Sequence, residues 1–312
     1  MSRSERDVGA PGGGARRAGS AGLRPIRLRG APRHPARGVG AGARLATSLR
    51  YAALVALAAL TLLPLVWMVL ASLMPSGEAT ASARLLPRTV TLDQYRTLFT
   101  RLNVARALAN STLLAAAVTA ISLVINALAG YAFAKLRFAG RDRLFRVLLG
   151  ALVIPAQVAM LPLFLMMREL RLIDTYWGVI VPGMASIFGI FLVRQYALAI
   201  PQSLLDAARI DGAGELRIFW SIVVPFCTPI LVTLAIFTFM GTWNDFLWPL
   251  IVLTGEDRQT LPVALANLAG EHVQDVELMM AGAVLTVLPI IVMFLALQRY
   301  YIEGIVSGSV KE

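Results

Sequence analysis

Charged residues are scarce in this sequence of 312 residues, and their absence from long stretches indicates the class of protein. Asp, Glu, Lys and Arg make up 15% of the chain and hydrophobic residues 57%, whereas soluble domains have about 25% charged residues. Six stretches contain no charged side chain and are long enough to cross a bilayer, which takes about 20 residues of helix. They are residues 51–73, 109–134, 147–167, 175–193, 218–244 and 278–298. We therefore predict an all-α membrane protein with six transmembrane helices.

Cysteine and histidine are almost absent, and this removes several kinds of active site. The one cysteine, Cys227, cannot form an intrachain disulfide, and we interpret it as an apolar packing residue of the fifth predicted span. The two histidines, His34 and His272, have no nearby ligand residues that indicate a metal site. The sequence also lacks a Gly-x-x-x-x-Gly-Lys-Ser/Thr loop for nucleotide phosphates and any Gly-Lys pair. We expect no enzymatic activity, no metal and no cofactor bound by this chain.

Arginine is distributed unevenly, and the distribution predicts the orientation in the membrane. Residues 1–50 contain eleven arginines and two acids, the loop 135–146 five bases and one acid, and residues 245–277 one base and six acids. Because cytoplasmic segments collect Lys and Arg, we predict that both termini and the loops 135–146 and 194–217 are cytoplasmic. The loop 74–108, which this topology places outside, is an exception with five arginines and two acids.

The first part of the chain differs in composition from the rest. Residues 1–45 are rich in Arg, Gly and Pro and have no aromatic side chain that could stack on a base. Such a composition is typical of a disordered segment. We therefore predict a disordered cytoplasmic tail that sets the topology and does not bind nucleic acid, followed by a transmembrane domain over residues 46–312.

The loop between the fourth and fifth predicted spans has an unusually ordered pattern. Pro201 ends the preceding span, and Ser203-Leu204-Leu205-Asp206 fits a capping box that begins a short helix. This helix is predicted to end near Ile210. Asp211-Gly212 then predicts a tight turn, because glycine adopts positive φ at little cost.

A second amphipathic helix is predicted after the turn. It begins near Gly214, carries Leu216, Phe219 and Trp220 on one side, and enters the fifth span at Pro225. The result is a helix–turn–helix at the cytoplasmic face of the membrane. Its many small residues leave a low-profile surface that a groove in a partner protein can enclose.

The spacing of residues in this loop is that of a known family. Asp206-Ala207-Ala208, Gly212, Ile222 and Val224-Pro225 follow the pattern Glu-Ala-Ala, three residues, Gly, nine residues, Ile, any residue, Leu-Pro. This is the EAA loop of ABC importer permeases, which the stretch resembles. The chain departs from the pattern by the shorter Asp for Glu at position 206 and by Val for Leu at position 224.

Other segments narrow the resemblance. Residues 243–249 (Trp-Asn-Asp-Phe-Leu-Trp-Pro), 130–135 and 298–308 are similar to the maltose-type carbohydrate permeases, specifically to the smaller, six-span partner of the pair. The charge map agrees with that family. The resemblance covers about residues 48–312 and leaves out the Arg-rich tail.

The resemblance implies an ABC type I importer permease fold and an assembly in the bacterial plasma membrane. Its implied partners are a second homologous permease, a dimer of cytoplasmic ATPase subunits that bind ATP and Mg, and an extracellular solute-binding protein. The loop is then the coupling helix, which lies in a cleft of the ATPase. The residues implied in this contact are Asp206, Ala207, Ala208, Arg209, Asp211, Gly212 and Ala213. Arg209 and Asp211 are expected to pair with charges on the ATPase.

The spans without charge favour a neutral, hydroxyl-rich solute, because ion-driven pumps usually keep an intramembrane carboxylate. The family likeness implies a sugar or oligosaccharide, with an amino acid or peptide as the alternative. A secondary transporter working alone would leave the loop 201–225 without a purpose. Candidate path-lining residues are Asn110, Asn126, Gln157, Thr238, Thr242 and Asn244. Each of them can equally form an interhelical hydrogen bond.

Overall fold

The structure is a computed structural model that describes residues 41–81, 85–100, 103–271 and 275–309. Side chains are described in these ranges except at 41–46, 269–271 and 297–309. The predicted tail lies outside the described residues up to residue 40. The described residues divide into two compact units after residue 57, within the first helix. The described part of the first unit is the beginning of that helix.

The described residues form helices joined by turns and irregular segments, with no strand among them. The α-helices are α1 (Ala41–Ala71), α2 (Glu78–Ala81), α3 (Asp93–Thr100), α4 (Val104–Lys135), α5 (Arg141–Ala151), α6 (Ala156–Glu169), α7 (Tyr176–Gly183), α8 (Ile187–Leu198), α9 (Gln202–Ile210), α10 (Glu215–Ile218), α11 (Val224–Trp243), α12 (Leu247–Val252), α13 (Leu261–Glu271) and α14 (Val276–Ser309). A π-helical turn, Phe219–Val223, joins α10 to α11. A 3₁₀ turn, Glu256–Arg258, lies between α12 and α13. The predicted all-α fold class is confirmed.

Five segments of the described chain are long and apolar enough to cross a membrane, and the pair α5–α6 gives a sixth if it is counted as one broken span. The five are Thr47–Ala71, Val104–Lys135, Tyr176–Leu198, Glu215–Trp243 and Val276–Ala296. Large apolar side chains such as Leu128, Phe237 and Leu288 are exposed on these segments. Such exposure is expected of helices surrounded by lipid or by another helical subunit, since lipid tails are as apolar as leucine.

The predicted third span, residues 147–167, is not one helix. α5 ends at Ala151, α6 begins at Ala156, and their axes differ by 105°. Pro155 explains the break, because proline donates no backbone hydrogen bond and restricts the preceding residue to extended conformations. Pro155 itself has φ −60° and ψ 134° and caps the start of α6.

The fourth span is also interrupted, between α7 and α8 at residues 184–186. In the apolar part of a membrane the freed backbone groups at such a break must find partners within the protein. The Ser186 N–H donates to Asn126 Oδ1 at 2.9 Å, and the Gly189 N–H donates to the Ser186 hydroxyl at 3.2 Å. A side chain of α4 therefore satisfies the break.

The fifth span stays continuous at Pro225, the first of its two prolines, because the π-helical turn accommodates that residue. The Val224 N–H donates to the Phe219 carbonyl, five residues back, directly before Pro225. In a regular α-helix the ring of Pro225 would press on the carbonyl of Ser221. The wider turn relieves this contact, and one helical rod runs over Glu215–Trp243.

α4 is the central helix of the second unit, with α8 and α11 packed against it. Two glycines permit the close approach of α8. A Cβ on Gly130 would lie 2.7 Å from Val193 Cβ, and a Cβ on Gly189 would lie 2.6 Å from Asn126 Nδ2. α4 contacts both α8 and α11 along much of its length. It therefore connects the loop that follows α8 to the far end of the bundle.

Candidate functional site

The turn predicted between α9 and α10 is present, and its backbone hydrogen bonds explain its shape. Gly212 has φ 82°. The Gly212 N–H donates to the Arg209 carbonyl at 3.0 Å, and the Ala213 N–H donates to the Ala208 carbonyl at 2.9 Å. This is a Schellman ending, in which glycine takes the left-handed position at little cost. We call residues 206–213 the knob.

The knob combines a packed base with an exposed outer side. Ala208 and Ala213 pack against the buried cluster that contains Leu205 and Phe219. The exposed residues are Asp206, Ala207, Asp211 and Gly212, and Arg209 is partly exposed. A Cβ built on Gly212 would meet no other described atom within 4 Å. The seven predicted coupling residues are thus brought together in one surface feature, and two of them hold it to the core.

The predicted capping box at the start of α9 is wrong. The helix begins at Gln202, and its cap is Pro201, whose side chain has no hydrogen-bonding group. Ser203 therefore lies inside the first turn. Asp206 accepts hydrogen bonds from Gln202 Nε2 at 3.1 Å and from Arg209 Nη1 at 2.7 Å. With Pro201 as its cap, the helix begins earlier than the Ser/Asp pattern indicated. Asp206 therefore forms its hydrogen bonds with the side chains of Gln202 and Arg209.

A network of polar side chains joins the knob to α4. Arg209 donates to Asp206 Oδ1 at 2.7 Å and to the two oxygens of Glu215 at 2.7 Å and 3.4 Å. The Tyr131 hydroxyl donates to Glu215 Oε2 at 2.5 Å, and the ring of Tyr131 packs on Phe219 with centroids 6.0 Å apart. Tyr131 is 3% exposed, whereas the Glu215 side chain is 46% exposed. Glu215 thus connects a buried tyrosine to a surface arginine.

The network engages Arg209 within its own chain. The hydrogen bond that Arg209 donates to Glu215 raises the pKa of Arg209 above its ordinary value, so the guanidinium is charged and is held by two carboxylates. Arg209 is thus already paired with Asp206 and Glu215 of its own chain, whereas Asp211 is exposed, and the pairing of either residue with a charge on a partner stays a prediction. Sequence reasoning missed Glu215 and Tyr131 as a pair. Both lie in segments that carry the family likeness, but a separation of 84 residues gives no local pattern.

The sequence indicated that Leu216, Phe219 and Trp220 lie on one side of the helix after the turn, but in the structure they do not. Phe219 is 1% exposed and packs in the core, whereas Leu216 and Trp220 are 69% and 55% exposed. Ile218 takes the second core position. Ile210, to which the sequence assigned no role, is 86% exposed on the knob. The knob is therefore flanked by apolar side chains, an arrangement that marks contacts with another protein or with a membrane.

Two of the six polar residues considered for a solute path serve helix packing. Asn126 is 0% exposed, donates to the Ser122 hydroxyl at 2.8 Å and accepts from the Ser186 N–H. Asn110 is 5% exposed and donates to two backbone carbonyls in the segment 257–259 at 3.0 Å. Asn126 thus forms the hydrogen bond between helices that the sequence left open as its other role, and its place on a solute path stays a prediction.

Two other candidates, Gln157 and Thr242, lie on the wall of one cavity. The cavity has a volume of about 290 Å³ and lies between α4, α6, α7 and the junction of α11 with α12. Thr238 is half-buried on α11 outside this wall. Asn244 is exposed at the end of α11 and donates to the Met240 carbonyl at 2.9 Å.

Asp245 adds a carboxylate to the same cavity wall. The indole N–H of Trp248 donates to the Gly178 carbonyl at 3.0 Å, which holds α12 against α7 and brings Asp245 beside the bundle. Asp245 Oδ1 accepts from the Trp248 backbone N–H at 3.4 Å. Burial raises the pKa of this carboxyl, and the backbone hydrogen bond offsets the rise only in part. From the sequence alone, Asp245 is assigned to an external acidic loop. Its place beside the bundle depends on the packing of α12 against α7, a tertiary contact that the sequence does not show.

Comparison with known proteins agrees with these features. The profile of the family described as "Binding-protein-dependent transport system inner membrane component" matches residues 126–306, a range that contains the knob and the network. The arabinooligosaccharides transport system permease protein AraQ of Halalkalibacterium halodurans is 39% identical over 259 residues, which are 82% of this chain and 93% of that protein. The lactose transport system permease protein LacG of Rhizobium radiobacter is 34% identical over 273 residues, 86% of this chain and 97% of that protein.

A further relative and a solved structure give the same result. The trehalose transport system permease protein SugB of Mycobacterium tuberculosis is 36% identical over 254 residues, 80% of this chain and 92% of that protein. A chain in the crystal structure of a bacterial ABC transporter involved in the import of the acidic polysaccharide alginate superposes with a TM-score of 0.74 at 26% identity, covering 84% of this chain and 98% of that one. The chain belongs to the family of binding-protein-dependent transport system inner membrane components, the permeases of ABC importers.

Proposed function

We propose that this chain is a transmembrane permease subunit of an importer for a sugar or oligosaccharide and forms half of the translocation path. Three relatives that align over most of their length are named for arabinooligosaccharides, lactose and trehalose. These solutes share neutral rings that carry many hydroxyl groups. Their names do not favour the alternative of an amino acid or peptide as the solute.

The observation that carries the coupling part of the proposal is the exposed knob on a packed base. Its outer side exposes Asp206, Ala207, Asp211 and Gly212, together with Ile210, which is 86% exposed. Its base packs against the buried cluster of Leu205, which is 0% exposed and contacts residues of α4 and α11 in that cluster. A cleft that closes on the knob therefore acts on the two central helices. In this proposal the cleft belongs to a separate ATPase dimer, which binds ATP and Mg and hydrolyses the nucleotide.

The remaining partners follow from the same orientation. The knob and the basic loop 135–146 face the cytoplasm in this proposal, together with both termini. The acidic segment 253–275 then faces a solute-binding protein on the outside. A second homologous permease supplies the other half of the path, and the apolar surface of the spans is divided between that subunit and lipid.

The substitution Gly212→Arg tests whether the knob contacts the ATPase. Apart from its chain neighbours, no described atom lies within 4 Å of a Cβ built at Gly212, so a side chain can begin there without a clash. The left-handed backbone costs about 1–2 kcal/mol for any residue with a Cβ. We expect Gly212→Arg to abolish ATP-driven uptake and to reduce copurification of the ATPase from native membranes, at normal membrane levels of the permease.

The matched control is Gly212→Ala, which carries the same backbone strain without the bulk. It should retain most of the uptake and all of the copurification. Normal uptake by Gly212→Arg at wild-type membrane levels would remove the coupling assignment. Recovery of this chain as a self-assembled oligomer without an ATPase would remove the importer proposal itself.

A further inference from the structure

We infer that the cavity between α6, α11 and α12 is a binding site for one ring of a neutral, hydroxyl-rich solute, with Asp245 as the group that accepts hydrogen bonds from its hydroxyls. The inference rests on the proposed function, because it states where this chain holds the solute along its half of the path. Nothing in the family pattern of the coupling loop bears on this cavity, which lies at the other end of the α11 rod.

The state of the Asp245 carboxylate is the first argument. It is half-buried, and its one backbone hydrogen bond, from the Trp248 N–H, is long at 3.4 Å. No Lys, Arg or His of the described residues forms a salt bridge with it. Removing a carboxylate from water without a counter-charge is costly. A carboxylate kept in that condition on a cavity wall is typical of a ligand site.

The rest of the wall suits a sugar ring. Gln157 contributes an amide that both donates and accepts, and Thr242 contributes a hydroxyl. Met160, Leu247 and the side of Trp248 supply apolar surface. A sugar ring has hydroxyl groups at its edge and C–H groups on its faces, so it requires this mixture of surfaces. Sites for small molecules combine apolar walls with a few placed polar groups in the same way.

The size and charge of the cavity restrict the ligand further. Its volume of about 290 Å³ is at the lower limit of ligand cavities, about 300 Å³. It therefore fits one ring of an oligosaccharide and not the whole molecule. A carboxylate repels an anionic solute, whereas a hydroxyl that donates to a carboxylate forms a bond roughly twice as strong as a neutral pair. A neutral sugar is thus the class of solute that this wall selects.

Cysteine labelling tests the site directly, because the sequence has a single native cysteine, Cys227, which is 1% exposed. In the complete importer in proteoliposomes, a Gln157→Cys variant should react with a water-soluble maleimide. A neutral sugar that the wild-type importer transports, tested first among lactose, trehalose and arabinooligosaccharides at millimolar concentration, should slow this reaction several-fold. Thr89→Cys, an exposed position in the loop 74–108, is the control and should react equally with and without sugar.

The role of Asp245 is tested by adding Asp245→Asn to the Gln157→Cys variant. The asparagine keeps the shape of the side chain and removes the charge. Loss of one hydrogen bond to a charged group should raise the sugar concentration needed for protection about tenfold. Membrane levels and copurification of the ATPase should stay near those of Gln157→Cys alone, which shows that the assembly is intact.

The outcomes separate this inference from the proposed function. If the importer transports a neutral sugar that gives no protection, or if Asp245→Asn leaves protection unchanged, the inference is wrong and the proposed function stands. If Asp245→Asn releases the second permease during copurification, Asp245 pairs with a cation of that subunit, and the inference is again wrong. If the wild-type importer transports no neutral sugar, the proposed function fails and this inference fails with it.

Discussion

The variant Tyr131→Phe should uncouple the knob from α4 in part while leaving the bundle folded. In the wild type the Tyr131 hydroxyl donates to Glu215 Oε2 at 2.5 Å, and its ring packs against Phe219. Phenylalanine keeps the ring and its packing and removes the hydroxyl alone. The variant therefore isolates the one side-chain hydrogen bond between α4 and Glu215, the residue that holds Arg209 of the knob.

The structure sets the expected magnitude. A hydrogen bond to a charged group contributes about 1.5–3 kcal/mol when both partners are shielded from water. The Glu215 side chain is 46% exposed, so water can replace the lost donor at the carboxylate. The exposed pair of Glu215 with Arg209 contributes a further amount of only about 0–1 kcal/mol, and this pair is kept in the variant. We therefore expect the free energy of unfolding to fall by about 1 kcal/mol.

Coupling should change more visibly than stability. In one state the knob is linked to α4 through Glu215, and in the other this link is open. If the linked state is destabilised by about 1 kcal/mol, its population relative to the open state falls about fivefold. In the open state the knob still enters the ATPase cleft in the proposed assembly but transmits less of its movement. Measured in proteoliposomes with the complete importer, the number of ATP molecules hydrolysed per solute imported should therefore rise, by up to about fivefold.

The control is a second tyrosine with the same chemistry at another place. The Tyr176 hydroxyl, on α7, donates to Asn110 Oδ1 at 2.8 Å, and Tyr176→Phe should leave the coupling ratio unchanged. Glu215→Ala should raise the ratio at least as much as Tyr131→Phe. The double variant should be no worse than Glu215→Ala, because both changes interrupt the same link. Equal ratios in the two tyrosine variants, or fully additive effects, would refute the reasoning.

Two further outcomes concern stability, measured as melting temperature in detergent. Gly189→Ala places a Cβ 2.6 Å from Asn126 Nδ2 and should destabilise the protein by about 1–3 kcal/mol. Gly241→Ala is the control: no described atom lies within 4 Å of its Cβ, so it should be neutral or should stabilise the protein by about 1 kcal/mol. Equal melting temperatures of the two variants would contradict the close packing of α8 on α4. Burial raises the folded-state pKa of Asp245, so its charge destabilises the fold above that pKa and the penalty disappears as pH falls below the ordinary range of aspartate. Asp245→Asn should thus melt above the wild type at neutral pH, by a margin that vanishes on acidification, and a margin independent of pH would count against this origin.

The fold class could be predicted because a long stretch without charged residues is visible in the local sequence. Whether each proline bends, breaks or leaves intact its helix could not be predicted in this way. Pro155 ends one helix before another begins at 105°, whereas Pro162 lies inside α6 and Pro225 is absorbed by a π-helical turn. Whether a proline bends or breaks a span depends on which neighbouring groups satisfy the freed backbone. Asn126 has that role at the break before α8, and its position across the bundle is not visible in the sequence.

The same distinction divides the candidate sites. Gly212 was predictable, since a positive φ at a helix end follows from a few consecutive residues. The link from Glu215 to Tyr131 and the place of Asp245 on a cavity wall were not, because both depend on contacts between distant segments. Asp206 shows the limit of a local rule: the Ser/Asp pattern was that of a capping box, but Pro201 fixed an earlier start and Arg209 engaged the carboxylate.

The cavity lies between the continuous helix Glu215–Trp243 and the interrupted helices α6 and α7. The continuous helix connects the cavity to the network beside the knob. The rod Glu215–Trp243 has 29 residues and so extends about 40 Å, from the network at Glu215 to Thr242 on the cavity wall. The opposite wall contains Gln157, just after the break before α6, and Gly183, just before the break at 184–186. In the proposed mechanism a displacement of the knob is carried along a continuous helix, whereas the facing segments are interrupted and can change their angle at the breaks. Movement started at the knob should therefore change the cavity most at these two breaks, where the proposed solute ring lies.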